Sequence, residues 1–245
     1  MDAINRAPTF TVRHLKKACS ECSLQDLCLP LGIGEKDMKS LEQVVETVGP
    51  LHRGDHLFRQ NDEFSAIYAV RGGCIKSYAN SETGEEQVLG FHLPGELVGL
   101  DAIYPGRHQC SAVALDTAIV CRLPFAQLAT LAVAAPSLQR QLLRIMSRDI
   151  GTSHALSGEH SAEERLAAFL LGFADREGSR GLSARNLVLP MPRQDIANYL
   201  RLAPETASRI LTRFKQRGLI RISGHEIWLE DRSALEALCP GTLRL

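Results

Sequence analysis

The chain has 245 residues, 44% of them hydrophobic, and a formal net charge of zero. This length fits one large or two modest domains, and the apolar content is ample for a core. No run approaches the ~20 apolar residues of a membrane span, and the N-terminal stretch lacks the apolar centre of a signal peptide, so we expect a cytoplasmic protein.

Three cysteines lie close together near the N-terminus, Cys19, Cys22 and Cys28, in a C-x2-C-x5-C arrangement. Thiolates are the soft ligands that select iron–sulfur clusters, zinc or copper(I). A cluster needs four ligands, usually all cysteine. The other candidates are Cys74, Cys110, Cys121 and Cys239. Structural zinc usually takes two cysteine pairs, and a disulfide is disfavoured in a reducing compartment. The residues alone leave open a cluster, a zinc site or inert thiols.

The stretch 35–48 has the spacing of an amphipathic helix. Its apolar stripe consists of Met38, Leu41, Val44, Val45 and Val48. From about Pro50 to Pro124, short β-type runs alternate with turn signals such as Gly72-Gly73 and Pro94-Gly95. This alternation predicts an antiparallel sandwich or barrel.

A long helical pattern starts near Phe125 and continues past Pro136, which suits a first-turn position. Its stripe is Leu138, Leu142, Ile145, Met146 and Ile150. Such a stripe is most often core, but on a helix between two domains it equally suits a dimer seam. We predict that Leu142, Met146 and Ile150 form that seam, and that the helix ends or frays near Gly151.

The C-terminal part predicts a winged helix–turn–helix. Ser161 to Glu164 is a capping-box signature that opens a helix. A loop, two further helices (RQDIANYLR and PETASRILTRFKQRG) and a small hairpin (RISGHEIWLE) follow. Residues 191–221 carry seven basic and two acidic side chains, which indicates a face for a polyanion, although a solvated helix face would have the same charge.

The start of the second of these helices predicts base contacts, because this part of a helix–turn–helix enters the major groove. Glu205, Ser208 and Arg209 share one face there. Arg suits guanine and Glu accepts from the cytosine amino group. Arg213 and Lys215 are predicted to meet phosphates. The alternative for Glu205 and Arg209 is a surface ion pair.

The chain resembles the CRP/FNR transcription regulators, and within them the oxygen-sensing Fnr/Anr branch. The resemblance covers residues 19 to about 238 and rests on the cysteine spacing together with RGDHLFRQNDE, GFHLPGELVGLDAI, AEERLAAF and ETASR. It implies an α+β chain with four parts. These are a cluster-binding segment at 1–34, an antiparallel β-roll sensor domain at 35–125 like those that bind cyclic nucleotides, a dimerisation helix at 126–157 and a winged helix–turn–helix at 158–245.

The resemblance further implies a [4Fe–4S] cluster on Cys19, Cys22, Cys28 and an internal cysteine that precedes a Pro-Phe pair, which singles out Cys121. It implies a homodimer that binds double-stranded DNA under anaerobic conditions, at TTGAT-N4-ATCAA-type sites read by Glu205, Ser208 and Arg209, to activate or repress genes. In relatives, the loop that matches Ser81 to Glu86 contacts RNA polymerase.

The alternative is a CRP-like regulator that responds to another small-molecule or redox ligand on the same fold. Relatives that bind cAMP carry Arg-Ser/Thr-Ala, where the arginine pairs with the phosphate. Here the triplet is Cys110-Ser111-Ala112, so we expect no cyclic nucleotide. A redox enzyme would not explain the helix–turn–helix, so we expect no enzyme. Relatives usually have glycine where Arg201 stands, and Ala203 occupies the N-cap of the reading helix.

Overall fold

The computed structural model describes residues 19–81 and 84–239, except for the side chains of Leu156 and Ser157. Residues 1–18 of the predicted cluster-binding segment therefore lie outside the described residues, as do Glu82 and Thr83 of the loop predicted to contact RNA polymerase. Two units are distinguishable, one formed by the described parts of 1–75 with 92–139 and the other by 76–91 with 140–245.

Short antiparallel strands make up the N-terminal domain, as predicted. They are β1 (Glu46–Leu51), β2 (His56–Phe58), β3 (Ala66–Gly72), β4 (Ile75–Asn80), β5 (Glu86–His92), β6 (Leu97–Val98), β7 (Ser111–Ala114) and β8 (Ala118–Pro124). One sheet has the order β1-β8-β3-β6 and the other β2-β7-β4-β5. A core cluster that includes Leu51, Phe58, Val70 and Val120 draws on strands of both sheets. The first sheet therefore packs face to face with β2 and β7.

The helix α1 (Glu35–Val44) precedes β1, and Leu41 is its buried residue. The predicted stripe was wrong beyond Val44, because Val45 ends the helix in extended geometry and Val48 belongs to β1. The sequence position of Val48 fits the helical stripe only by coincidence. In the structure Val48 pairs with Val120 of β8 and is buried.

The predicted long helix consists of two, α2 (Phe125–Ala134) and α3 (Pro136–Ser157), which are separated by Ala135 in non-helical geometry. The expected end near Gly151 was wrong, because α3 continues through that residue to Ser157. A glycine inside a helix costs only about 1 kcal/mol relative to alanine. Among the described residues, no helix is both long and apolar enough to cross a membrane.

The C-terminal region confirms the winged helix–turn–helix. Its helices are α4 (Ala162–Ser179), α5 (Arg193–Tyr199), α6 (Pro204–Gln216) and α7 (Arg232–Ala237), and its strands are β9 (Asn186–Val188), β10 (Ile220–Ser223) and β11 (Glu226–Leu229). The capping box forms in both directions: Glu164 N–H donates to the Ser161 hydroxyl, and the Glu164 carboxylate accepts from Ser161 N–H. The stretch before α5, predicted as loop, contains β9, which pairs with β11 and makes the wing a three-stranded sheet.

Residues 76–91 pack within the same unit as α5. The Asn198 side-chain amide donates to the Glu86 carbonyl, and its oxygen accepts from Val88 N–H, both at 2.7 Å. The buried Lys76 ammonium lies 2.6 Å from a Glu86 carboxylate oxygen and 3.0 Å from one of Asp195. The first helix of the helix–turn–helix is therefore held by both backbone hydrogen bonds and ion pairs.

Candidate functional site

The four cysteines predicted as ligands line one cavity, although Cys121 lies far along the chain from the other three. Cys121 is on β8, in register with Thr47 of β1 and Ala69 of β3, so it occupies a central strand. The cavity has a volume of about 440 Å³, counting its open mouth. The remaining cysteines lie elsewhere: Cys74 and Cys110 are buried in the β-strand core region, and the Cys239 thiol lies 3.8 Å from the Glu164 carbonyl.

The cysteine loop, which we define as residues 19–31, is a succession of turns. Cys22 N–H donates to the Cys19 carbonyl at 3.1 Å, and Cys28 N–H donates to the Leu24 carbonyl at 2.9 Å. Two hydrogen bonds anchor the loop on α1, because the Ser20 N–H and hydroxyl both donate to one Glu42 carboxylate oxygen, at 2.9 and 2.7 Å. These contacts fix the backbone from which three of the thiols project.

The loop also lies close to the turn that contains Gly95. That glycine has φ +94°, a conformation that other residues rarely adopt, and a Cβ placed there would lie 3.1 Å from the Leu27 Cβ. Glycine therefore permits both the turn and the close approach of the cysteine loop.

The walls of the cavity are mostly apolar, with Leu29, Leu41, Val45 and Leu123 among the lining residues. Burial raises the pKa of Cys28 to about 12, against the lowering effect of Leu29 N–H. Burial also raises the pKa of Cys19 to about 11 and that of Cys121 above its ordinary value. Without a bound cation these three thiols stay protonated near neutral pH.

One basic side chain, Arg71 of β3, stands among the residues that line the cavity. Its positive charge lowers the pKa of Cys19 and Cys121, in opposition to burial. Sequence reasoning did not find Arg71, because nothing in its neighbourhood along the chain connects it with cysteines. Three consecutive residues of β3, Ala69, Val70 and Arg71, line the cavity, so the alternation of a strand gives no signal for Arg71.

The donor set suits a metal centre made of sulfur ligands. Four thiols are the number that an iron–sulfur cluster requires, and the other lining residues include no His, Asp or Glu. Among the described residues, no group of three or more His, Cys, Asp or Glu side chains is arranged closely enough to hold a metal ion.

The reading helix α6 has one buried and one exposed face. Its buried residues are Ala207, Ile210, Leu211 and Phe214. Glu205, Ser208 and Arg209 are all exposed. Within the part of the chain that the structure describes, neither Glu205 nor Arg209 makes a side-chain hydrogen bond or ion pair, so the alternative of a Glu205–Arg209 pair is not realised. These side chains are available to a ligand outside the chain.

The two predicted phosphate contacts differ in their surroundings. Lys215 is exposed, whereas Arg213 pairs with Glu163 on α4. The sequence analysis did not identify Glu163 as a partner of Arg213, because the two residues are fifty positions apart. An acidic residue in the first turn of a helix is also common without any such partner.

The turn before α6 contains a residue other than glycine in left-handed geometry. This residue is Arg201, with φ +55°. Ala203 is the N-cap of α6 and has no side chain to accept from the first turn. Pro204 at the first helical position offsets part of this loss, because its missing N–H needs no partner.

The predicted seam residues on α3 are partly exposed. Leu142 and Met146 are half-buried, and Ile150 is 55% exposed. Leu143, which the sequence analysis did not include, is 59% exposed. Leu138 and Ile145, on the neighbouring side of the helix, are buried. One part of this apolar stripe is therefore buried, and the other part is open to solvent.

Comparisons with known proteins agree with this architecture. Residues 49–134 match the model of a cyclic nucleotide-binding domain, and residues 164–238 match that of a Crp-like helix-turn-helix domain. The chain is 45% identical over 241 residues to the transcriptional activator protein anr of Pseudomonas aeruginosa, covering 97% of this chain and 99% of that protein. The chain belongs to the CRP/FNR family of transcription regulators, in its Fnr/Anr branch.

A further relative and a solved structure also match this CRP/FNR chain. It is 42% identical over 227 residues to the fumarate and nitrate reduction regulatory protein of Escherichia coli, with 91% of each chain covered. Among solved structures, FixK2 from Bradyrhizobium japonicum matches with a TM-score of 0.72 and 27% identity, covering 80% of this chain and 97% of that one. The protein is therefore a DNA-binding transcription regulator and not an enzyme.

Proposed function

We propose that this CRP/FNR regulator responds to oxygen through a [4Fe–4S] cluster held by Cys19, Cys22, Cys28 and Cys121. The observation that carries the proposal is that these four thiols line one cavity, while the chain's other three cysteines lie elsewhere. Relatives named as anaerobic and fumarate and nitrate reduction regulators support the response to oxygen. The group would supply reactivity toward oxygen, which the side chains of the cavity lack.

The residues of the cavity suit the charge of such a group. Four thiolates around a core of charge +2 leave a net charge of −2, which is costly to bury without donors or cations. Arg71 supplies one positive charge at the wall. The lining is mostly apolar, and the Ser20–Glu42 hydrogen bonds hold the cysteine loop against α1.

The protein is further proposed to act as a twofold homodimer joined along α3. Leu142, Met146 and Ile150, with Leu143 beside them, would form the seam, because these large apolar side chains of α3 are wholly or partly open to solvent. A twofold dimer presents two reading helices to half-sites one DNA turn apart. Such a dimer would bind TTGAT-N4-ATCAA-type promoter sites under anaerobic conditions, to activate or repress genes.

In each half-site, Arg209 would donate two hydrogen bonds to guanine, and Glu205 would accept from the paired cytosine. Their exposure and lack of internal partners support this role, since no contact within the described residues has to be broken first. Ser208 lies between them on the same face. Contact of the loop 81–86 with RNA polymerase is proposed from the family alone.

The test of the cluster is the colour and composition of the anaerobically purified protein. We expect a brown protein with about four iron and four sulfide per chain. Cys121→Ser should lose both iron and sulfide, whereas Cys110→Ser should keep them. Cys239→Ser serves as a second control, because Cys110 is a core residue whose replacement could affect folding.

Two outcomes would contradict the proposal. If the purified protein were colourless and contained one zinc per chain, the four cysteines would hold zinc and not an iron–sulfur cluster. Loss of the cluster in Cys110→Ser together with its retention in Cys121→Ser would show that the fourth ligand is wrongly assigned. Circular dichroism of each variant checks that loss of iron is not loss of fold.

A further inference from the structure

The reading helix is joined to α4 by a carboxylate that contacts two of its cations. The Arg213 guanidinium donates from Nη1 to Glu163 Oε1, and Arg217 Nη1 lies 3.7 Å from Glu163 Oε2. Arg213 and Arg217 are one helical turn apart, so a single acidic side chain faces both. Each arginine remains about half exposed, whereas the Glu163 side chain is 26% exposed.

Glu163 lies in the first turn of its own helix, α4. Glu163 is the second residue of α4 and lies between Ser161 and Glu164, the two residues of the capping box. The first turn of a helix carries partial positive charge from its unpaired N–H groups, which stabilises an anion there. The capping box fixes the backbone of this turn, so the carboxylate is held at a defined place beside α6.

The consequence is an uneven charge along the reading helix. Arg209 and Lys215 are exposed and have no ion pair among the residues that the structure describes. Arg213 and Arg217 share the charge of Glu163. Arg209 and Lys215 therefore keep their full positive charge, whereas Arg213 and Arg217, on either side of Lys215, are partly neutralised from within the domain.

We propose that Glu163 is a positioning residue that holds Arg213 and Arg217 against α4 and so limits the sequence-independent affinity of this domain for DNA. Phosphate contacts supply most of the non-specific affinity of DNA-binding proteins, and each neutralised phosphate adds to its salt dependence. A carboxylate that competes with phosphate for an arginine lowers that contribution. Because exposed ion pairs are weak, Glu163 restrains the arginines without fixing them. The inference depends on DNA binding by the helix–turn–helix and not on the cluster.

The test is the salt dependence of binding to a duplex that lacks any TTGAT-type half-site, with full-length protein under anaerobic conditions. Glu163→Gln removes the charge and keeps the shape of the side chain. We expect tighter binding at low salt and a slope of log K against log salt that is steeper by about 0.9 per subunit. Between 50 and 200 mM salt, the affinity advantage of the variant should then shrink by about 3.5-fold for each subunit bound.

A matched control on the same helix is Asp175→Asn. Asp175 also pairs with an arginine, 2.6 Å from Arg232 of α7, so the control removes the same charge and one ion pair. It lies twelve residues after Glu163, about 18 Å along α4, which exceeds the Debye length of about 10 Å at 0.1 M salt. The salt slope of this variant should equal that of the parent protein.

The double variant Glu163→Gln with Arg213→Gln identifies the group that is released. We expect its salt slope to return to the parent value, because the freed arginine is no longer present. Weaker binding by Glu163→Gln on every duplex would overturn the proposal, since Glu163 would then hold the arginines in place for contact with phosphate. A lower melting temperature with an unchanged salt slope would equally overturn it and would leave Glu163 with a structural role only.

Discussion

Replacement of Arg201 by glycine should stabilise the helix–turn–helix. Arg201 has φ +55°, and a left-handed conformation costs a non-glycine residue about 1–2 kcal/mol. Its N–H donates to the Asn198 carbonyl at 2.9 Å, a bond that glycine retains. The side chain is exposed and makes no hydrogen bond or ion pair to other described residues, so little is lost with it.

The expected gain is the difference between two opposing effects. Glycine has greater conformational freedom in the unfolded chain, which costs about 0.5–1 kcal/mol. The net stabilisation is then about 0.75 kcal/mol, the middle of a range of about 0–1.5 kcal/mol. For a domain of 60–100 residues the middle value corresponds to an increase in melting temperature of about 3–6 °C.

Fluorescence-detected unfolding in guanidinium chloride suits this measurement. The chain has a single tryptophan, Trp228 on β11 of the wing, so fluorescence reports on this domain. The matched control is Arg201→Ala, which removes the same side chain and keeps the unfavourable φ. If Arg201→Gly were no more stable than Arg201→Ala, the left-handed backbone would not be the source of the strain and the reasoning would fail.

Three further predictions concern the dimer, base reading and pH. Ile150→Glu should give a monomer with an intact cluster, measured by anaerobic sedimentation, because two like charges would meet near the twofold axis. Arg209→Ala should weaken a TTGAT-N4-ATCAA duplex about 5- to 150-fold per half-site, the equivalent of about 1–3 kcal/mol, while Lys215→Ala should weaken all duplexes alike and lower the salt slope by about one charge. Burial raises the pKa of Cys28 from its ordinary 9.0 to about 12, so the stability of the cluster-free protein should be fully present below pH 9 and fall as the pH approaches 12.

Each of these predictions has a control and a contrary outcome. Val133 is an exposed apolar residue of α2, and Val133→Glu should leave the dimer intact. A dimeric Ile150→Glu protein would refute the seam. Equal loss on cognate and unrelated duplexes would make Arg209 a backbone contact. Denaturant titrations at pH 8 and pH 10.5 give the stability that each cluster-free protein loses between these two pH values. This loss should be smaller for Cys28→Ser than for the parent. An equal loss would show that ionisation of Cys28 does not cause the fall in stability.

Sequence patterns predicted the elements whose formation depends on residues that are close together along the chain. The capping box before α4 formed as its S-x-x-E spacing predicts, because both partners lie within one helical turn. The exposed face of α6 shared by Glu205, Ser208 and Arg209 and the short strands between turn signals also followed from local spacing. Periodicity misled at Val48, since its spacing fits the α1 stripe although the residue lies in β1. The strand β9 had no such signal, because three residues become a strand only by pairing with β11.

Tertiary structure decided which distant residues meet. The residues alone could not choose Cys121 from four candidates, and only the family resemblance singled it out. The position of β8 between β1 and β3 brings that thiol to the cavity of the cysteine loop. The fold likewise places Arg71 beside the cysteines and Glu163 beside Arg213. Helix and strand signals act over a few residues, whereas these sites depend on contacts between segments that only the packed chain brings together.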